Sequence, residues 1–276
     1  MCNAYIDRAY YKMNPTGSGI TAVENYHENP IAPCTGIMVS AEEAGAVTFS
    51  RVAPALSNYN GNLQIALAKM NQERGGAAEN AVLDNAIVSF NEGVRLEKFY
   101  FGNGAKVYIP QDGKDYAIAS VGTDVARNVS TIPVNFKATE NGEYTLTVNP
   151  EGIEMNYLHL IDNMTGADID LLVQPSYTFD ARITDYESRF RLVFASVSEN
   201  TDGDDDAPFA FVSNGEIIVI ADAGAASLQV IDVMGRMIRD CTDVARNVST
   251  QGMTTGVYIL RLINGDNIKT QKIIIE

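Results

Sequence analysis

The sequence predicts an all-β protein made of two antiparallel β-sandwich domains, the C-terminal one small. Three observations carry that prediction. Thirteen Tyr and ten Phe, with many Val, Ile and Thr and no Trp, form a strand-favouring composition. Apolar and polar residues alternate over short runs, the period of a half-buried strand. Gly, Asn and Asp punctuate those runs at close intervals. With 46% hydrophobic and 20% charged residues, the 276-residue chain is globular and long enough for one large or two ordinary domains.

Taken in order, residues 1–50 read as β structure broken by loops, and could form a separate connecting segment. Asn14-Pro-Thr-Gly-Ser-Gly19 and Glu28-Asn-Pro-Ile-Ala-Pro-Cys-Thr-Gly36 mark loops, followed by strands at Ile37–Ser40 and Val47–Phe49. Pro30 and Pro33 cannot donate to a central ladder, so this stretch is an edge or a connection. Leu63–Lys69 and Glu79–Ala86 are expected to be short helices. Strands are expected at Lys106–Pro110, Tyr144–Asn149, Tyr157–Asp162 and Ser188–Phe194. Alternation puts Tyr144, Leu146 and Val148 on one face, and likewise Phe190, Leu192 and Phe194. Gln111-Asp-Gly-Lys114, Glu140-Asn-Gly-Glu143 and Met164-Thr-Gly-Ala167 carry hairpin or loop chemistry.

Residues 199–207 are acidic and apolar-poor, and read as a solvated linker. Domains at 1–198 and 208–276 follow. Asp202, Asp204 and Asp206 imitate a calcium loop, but the required Gly and bidentate Glu are misplaced, so a plain linker is the better reading. The net charge of −15 speaks against nucleic acid or an anionic membrane as partner. That charge is uneven: residues 208–276 hold six bases and seven acids, the linker five acids and no base.

Cys2, Cys34 and Cys241 are too few and scattered for a disulfide framework. A Cys2–Cys34 bridge is conceivable, and unpaired thiols are favoured. No apolar run reaches the length of a membrane-spanning helix, so no transmembrane segment is expected. The N-terminus lacks the apolar stretch of a signal peptide.

The search for chemistry returns no catalytic residue, no cofactor and no metal site. His159 alternates away from Leu158 and Leu160 as a satisfied or solvated strand residue. His27 lies near Glu24 and Glu28 without anything to fix a ligand geometry. Asp162, Asp168 and Asp170 could pair as hydrolytic carboxylates, yet Asp at a turn is ordinary. There is no nucleophile elbow, no zinc-protease helix motif and no phosphate loop. The nonapeptide Thr-Asp-Val-Ala-Arg-Asn-Val-Ser-Thr occurs at 123–131 and again at 242–250. It reads as a duplicated polar surface segment rather than a shared binding site.

The last strands carry the sharpest pattern. Gly256-Val-Tyr-Ile-Leu-Arg-Leu-Ile is apolar on alternate and intervening positions alike, which predicts a central strand buried on both faces. Asn264-Gly-Asp266 forms a turn, and Ile268–Ile275 returns with Lys269 and Lys272 as solvated charges guarding an edge. The segment Asp232-Val-Met-Gly235-Arg236, then Gly256-Val-Tyr258, Gly265 and the terminal Lys269–Ile275 strand together resemble the C-terminal sorting domain of the type IX secretion system of Bacteroidetes-type bacteria. Ser213-Asn-Gly215 stands where many members have Pro-Asn-Pro.

The resemblance implies an immunoglobulin-like sandwich acting as a secretion signal through Asp232, Gly235, Arg236, Gly256, Tyr258, Gly265, Lys269 and Lys272, with the type IX machinery as partner. It implies a secreted or surface-attached, outer-membrane protein whose export leader lies outside this sequence. Met1 is then expected not to be the natural start, and an upstream domain outside this chain is expected. Residues 81–195 also resemble a module that often precedes such tails in surface proteins. The expected function is a non-catalytic exported region; the alternative is a ligand-binding, for example glycan-binding, sandwich carried by the same tail. Tyr5, Tyr10, Tyr11, Tyr26 and Tyr100 are candidate contacts for such a ligand.

Overall fold

The structure, a computed structural model, describes residues 4–14, 19–24, 29–40, 45–51, 59–69, 82–122, 130–196, 209–213, 215–219, 227–242, 247–265 and 267–275. Among them there is no helix; every regular element is a strand, as the composition predicts. The chain divides into two compact units, Met1–Ser196 and Val197–Glu276. The acidic segment 199–207 and His27 fall outside the described residues.

The first unit begins with five short strands: β1 (Tyr5–Ile6), β2 (Tyr10–Met13), β3 (Ile20–Val23), β4 (Ile37–Met38) and β5 (Phe49–Ser50). Its main body is β6 (Asn62–Lys69), β7 (Val82–Ser89), β8 (Leu96–Glu97), β9 (Lys106–Gln111), β10 (Lys114–Ser120) and β11 (Ser130–Lys137). It continues through β12 (Gly142–Glu151), β13 (Met155–Asp162), β14 (Asp168–Asp170), β15 (Ser176–Ala181) and β16 (Phe190–Ser196). These join in one continuous sheet, in the order β14-β13-β16-β11-β9-β10-β7-β6-β12-β15, with β8 added to β10. All pairs are antiparallel except β7 with β10.

The sheet folds over on itself. Rings from opposite ends of the strand order meet in the core: Phe136 (β11) lies 5.1 Å from Tyr144 (β12), and Phe179 (β15) lies 4.8 Å from Phe190 (β16). Tyr144, Leu146 and Val148 are buried together, as are Phe190, Leu192 and Phe194, so the alternation located both core faces. The short N-terminal strands form a further layer. Ala9, Tyr11 and Ala22 pack on Ile87, Leu96, Ala117 and Ile118, covering the other side of β7, β8 and β10. The Asn85 side chain bonds both the amide and the carbonyl of Ala22, at 2.8 and 3.0 Å, and so ties β3 to β7.

Several expectations are sharpened or overturned by what is found. Leu63–Lys69 and residues 82–86 are strands, not helices: Leu63, Ile65 and Leu67 follow a period of two, and the intervening alanines fit a crowded sheet as well as they would a helix. Of the two forms expected at Asn141-Gly142, hairpin or loop, the loop is found, because β11 pairs with β9 and β16 while β12 pairs with β6 and β15. Asp168 and Asp170 lie in an edge strand rather than a turn. Of the repeated nonapeptide, the described ends run into strands, Ser130 and Thr131 into β11 and Asn247–Ser249 into a strand of the second unit, where Val248 is buried. By contrast, Asp112 and Gly113 close the β9–β10 hairpin with positive φ at both positions, as the Asp-Gly pair predicts.

The second unit contains β17 (Ala210–Ser213), β18 (Glu216–Val219), β19 (Ser227–Asp232), β20 (Met237–Cys241), β21 (Asn247–Ser249), β22 (Gly256–Asn264) and β23 (Asn267–Ile275). A three-stranded sheet, β17-β18-β21, faces a four-stranded one, β20-β19-β22-β23. Phe209, Ile217, Val219, Leu228, Val230, Tyr258, Leu260 and Leu262 fill the space between them. Strand β22 is central in its sheet but buried on one face only: Tyr258, Leu260 and Leu262 point inward, while Ile259 is 41% exposed. The expectation of burial on both faces is corrected accordingly.

In the first unit Arg189 is 1% exposed and Asp162 fully buried, and they are bonded at 2.8 Å through Nη2. Burial pushes the Asp162 carboxyl up, but Arg189 and the Met164 amide pull harder the other way and hold it below the ordinary carboxylate range. A carboxyl depressed by folding contributes stability that is present above about pH 4 and is lost as pH falls through its folded value. Asp162→Asn should therefore lower unfolding free energy at pH 7 by about 3–5 kcal/mol, since it leaves Arg189 buried without its counter-charge. Urea titrations at pH 7 and pH 3 should show that gap narrowing in acid.

Candidate functional site

The residues read as a signal motif converge on the turns and corners of the second unit. Asp232 ends β19, and its carboxylate is the centre of the β19–β20 turn. Oδ1 accepts the amides of Met234 and Arg236, each at 2.9 Å, and Oδ2 accepts Arg236 Nε at 2.7 Å. The main chain closes the same loop, with Asp232 N donating to Arg236 O and Gly235 N to Asp232 O. Gly235 takes φ of 78°, the left-handed region that glycine enters at no steric cost. The Arg236 amide above all, helped by its guanidinium and the Met234 amide, holds the Asp232 carboxyl below its ordinary value. The Asp-x-x-Gly-Arg spacing is thus the recipe for one rigid turn.

Tyr258 sits two residues into β22 with its ring in the core. Its hydroxyl donates back to Thr254 O at 2.8 Å, pinning the loop that enters the strand in the manner of a tyrosine corner. A Cβ at Gly256 would meet nothing nearer than 3.9 Å, so nothing in the packing explains glycine there. Gly265, at φ 60°, turns β22 into β23. Lys272 is exposed on the outer side of β23, whereas Lys269 is half-buried on the inner side, opposite Leu262.

Sequence reasoning missed Gln271. From β23 its side chain crosses to the other sheet: Oε1 accepts the amides of Phe209 and Ala210 at 2.7 and 2.9 Å, and Nε2 donates to Ala210 O. It pairs with β17 as a neighbouring backbone would. The signal was its place among inward-facing positions of β23, where an amide needs partners.

The candidate chemistry of the first unit resolves into structural contacts. His159 stacks on Tyr157 at 4.0 Å and bonds Asp168 at 2.6 Å through Nδ1, with Asp170 4.0 Å from Nε2. Asp162 belongs to Arg189 and is not part of that group. Glu24 is buried, with Oε1 accepting from Ser89 at 2.6 Å and Asn91 at 2.8 Å, and Oε2 from Asn62 at 2.8 Å. Burial pushes the Glu24 carboxyl up against these donors. Among the described residues no group of three or more His, Cys, Asp or Glu could hold a metal ion, and Cys34 and Cys241 are free thiols. No described helix is long and apolar enough to cross a membrane.

Comparison with known proteins places the second unit. Residues 213–276 match the family of secretion system C-terminal sorting domains, in agreement with the resemblance carried by Asp232, Gly235, Arg236 and Tyr258. No curated protein and no solved structure matches the chain. A domain of this family implies an exported protein, secreted or at the cell surface.

Gln271→Ala should strip the Phe209 and Ala210 amides of their acceptor. The expected cost is about 1–3 kcal/mol, with faster hydrogen exchange at Ala210 than in the core of β22. Unchanged exchange at Ala210 would show that β17 is held by its packing alone.

Proposed function

We propose that this chain is a non-catalytic exported protein of the type IX secretion system, with residues 208–276 as its sorting signal and the outer-membrane surface as its destination. The match over residues 213–276 carries the reading. Support for a non-catalytic first unit comes from the state of its best candidate acid. Glu24, among the described residues the carboxyl that ends above its ordinary value because burial outweighs its donors, is 2% exposed, and both its oxygens are taken by side-chain donors. A general acid must reach a substrate proton, and this one is walled in. Removal of Phe209–Glu276 should leave the protein in the periplasm of a host carrying the machinery. Normal appearance outside the cell without the tail would sink this reading.

One observation favours the ligand-binding alternative for the first unit. Phe99, Tyr100 and Phe101 are consecutive and 48%, 47% and 39% exposed. Their loop is held firmly: the Phe99 amide donates to Tyr11 Oη at 2.8 Å, and Tyr100 Oη donates to Asp115 at 2.6 Å. Rings presented on a stiff loop beside carboxylates suit the apolar faces and hydroxyl edges of a sugar. Of the tyrosines expected to serve, Tyr10 and Tyr11 are buried, Tyr5 is half-buried, Tyr26 lies outside the described residues, and Tyr100 remains. Glycan-array binding that the parent shows and Phe99→Ala/Phe101→Ala loses would establish this second reading; no binding by the parent would remove it.

A further inference from the structure

The solvent face of the β20-β19-β22-β23 sheet is stacked with aliphatic side chains. Ile231 lies opposite Met237 on one side and Ile259 on the other. Val257 lies opposite Ile274, and Ile263 opposite Ile268. The residues between them, Val230, Tyr258, Leu260, Leu262 and Ile273, belong to the core, so these seven face outward. Four are well exposed: Met237 at 53%, Ile259 at 41%, Ile268 at 46% and Ile274 at 59%. At the end of the sheet that carries Met237, Ile259 and Ile274, the turn organised by Asp232 presents Val233 and Met234 at 72% and 78%.

An antiparallel sheet that packs one face on a core ordinarily turns polar residues to water. Here the half of the face nearest the Asp232 turn is aliphatic across all four strands, bounded by a polar row of Asp240, Gln229, Arg261 and Thr270, and such a patch marks a contact surface. The residues of the signal motif build the domain rather than occupy this face. Asp232, Gly235 and Arg236 make a turn, Tyr258 a corner and Gly265 a hairpin, and of the eight only Lys272 projects from it.

We propose that this face is where the sorting domain is recognised, docking on a component of the secretion machinery that presents an apolar surface bordered by carboxylates. The proposal rests on the reading of residues 208–276 as an export signal and names the surface the signal uses. Two features select that occupant. All four strands lie within the residues that match the sorting family. Beside the patch stand two cations, Lys272 opposite Ile259 and Arg261 opposite Gln229 and Thr270, against one carboxylate among the described residues of the face, Asp240 opposite Gln229. A second copy of the same face would offer these two cations a single carboxylate, Asp240 on the far edge strand, whereas a partner bearing several carboxylates pairs with both.

The test uses the full chain in a host with the machinery, measuring the extracellular fraction alongside thermal unfolding of the purified protein. Ile259→Glu/Ile274→Glu should unfold within a few degrees of the parent yet lose about tenfold or more in export, as expected when anchors of a docking face are replaced by charges. Ile259→Val/Ile274→Val should be exported like the parent. If the Glu pair does not fold, Ile259→Thr/Ile274→Thr, which keeps strand-favouring side chains, carries the same expectation. Normal export of a folded polar variant overturns the proposal, while retention of the chain lacking Phe209–Glu276 leaves the export reading standing. Normal export of that shortened chain overturns the export reading itself. A concentration-dependent dimer that the Glu pair dissolves without affecting export also overturns the proposal, assigning the face to self-association.

Discussion

The bond between Arg189 and Asp162 is the constraint on which the first unit's closure depends. Asp162 ends β13, near one limit of the strand order, and Arg189 leads into β16 beside it. The guanidinium also donates to Asp180 O on β15, the strand at the opposite limit, at 2.8 Å. It lies over the rings of Phe179 and Phe190, 4.6 and 5.2 Å from their centroids, and Tyr177 donates to the same carboxylate. One buried ion pair thereby joins both ends of a long sheet. Hydrophobic burial would favour many ways of folding such a sheet over; a charge that must find its partner favours one. A buried pair contributes little net stability against an apolar replacement. Its value here is in the geometry it imposes.

The second unit joins its two sheets with a neutral side chain. Its two sheets are held face to face by apolar packing, and Gln271 adds the directional element by bonding β17 from β23. Asp232 does for the β19–β20 turn what Gln271 does for β17. In each case a side chain supplies bonds that the backbone ladder cannot reach. Such contacts are invisible to patterns of period two, because a lone polar residue among apolar ones reads as a solvated position until its partner is placed.

That explains which parts were legible. Alternation located the core faces of β12 and β16, and Asp112-Gly113 located a hairpin, because both are local properties of a few consecutive residues. Leu63–Lys69 misled because its alanines carry helix propensity, which is weak against pairing with β7 and β12 on either side. The order of strands in the first unit was not legible at all, since Asn141-Gly142 turns the chain away from its neighbour rather than back onto it. In the second unit the motif residues were legible as a pattern of spacing, but their places in the scaffold could be assigned only from bonds: Arg236 to Asp232, and Tyr258 to Thr254.

The distinction between scaffold and surface bears on how the sorting domain keeps its shape. A signal that is read as a folded surface needs a fixed shape. Turn, corner and hairpin residues secure that shape with bonds made within residues 232–265. The face they hold up can then be aliphatic and still remain specific, because its charges, Arg261 and Lys272, sit at fixed positions on a rigid sheet. Lys272 serves both purposes, placing a solvated charge on the edge strand, where bare strand pairing would otherwise invite aggregation, and a cation beside Ile259. A domain whose outer face carries exposed aliphatic residues such as Met237, Ile259 and Ile274 needs that restraint more than one whose outer face is polar.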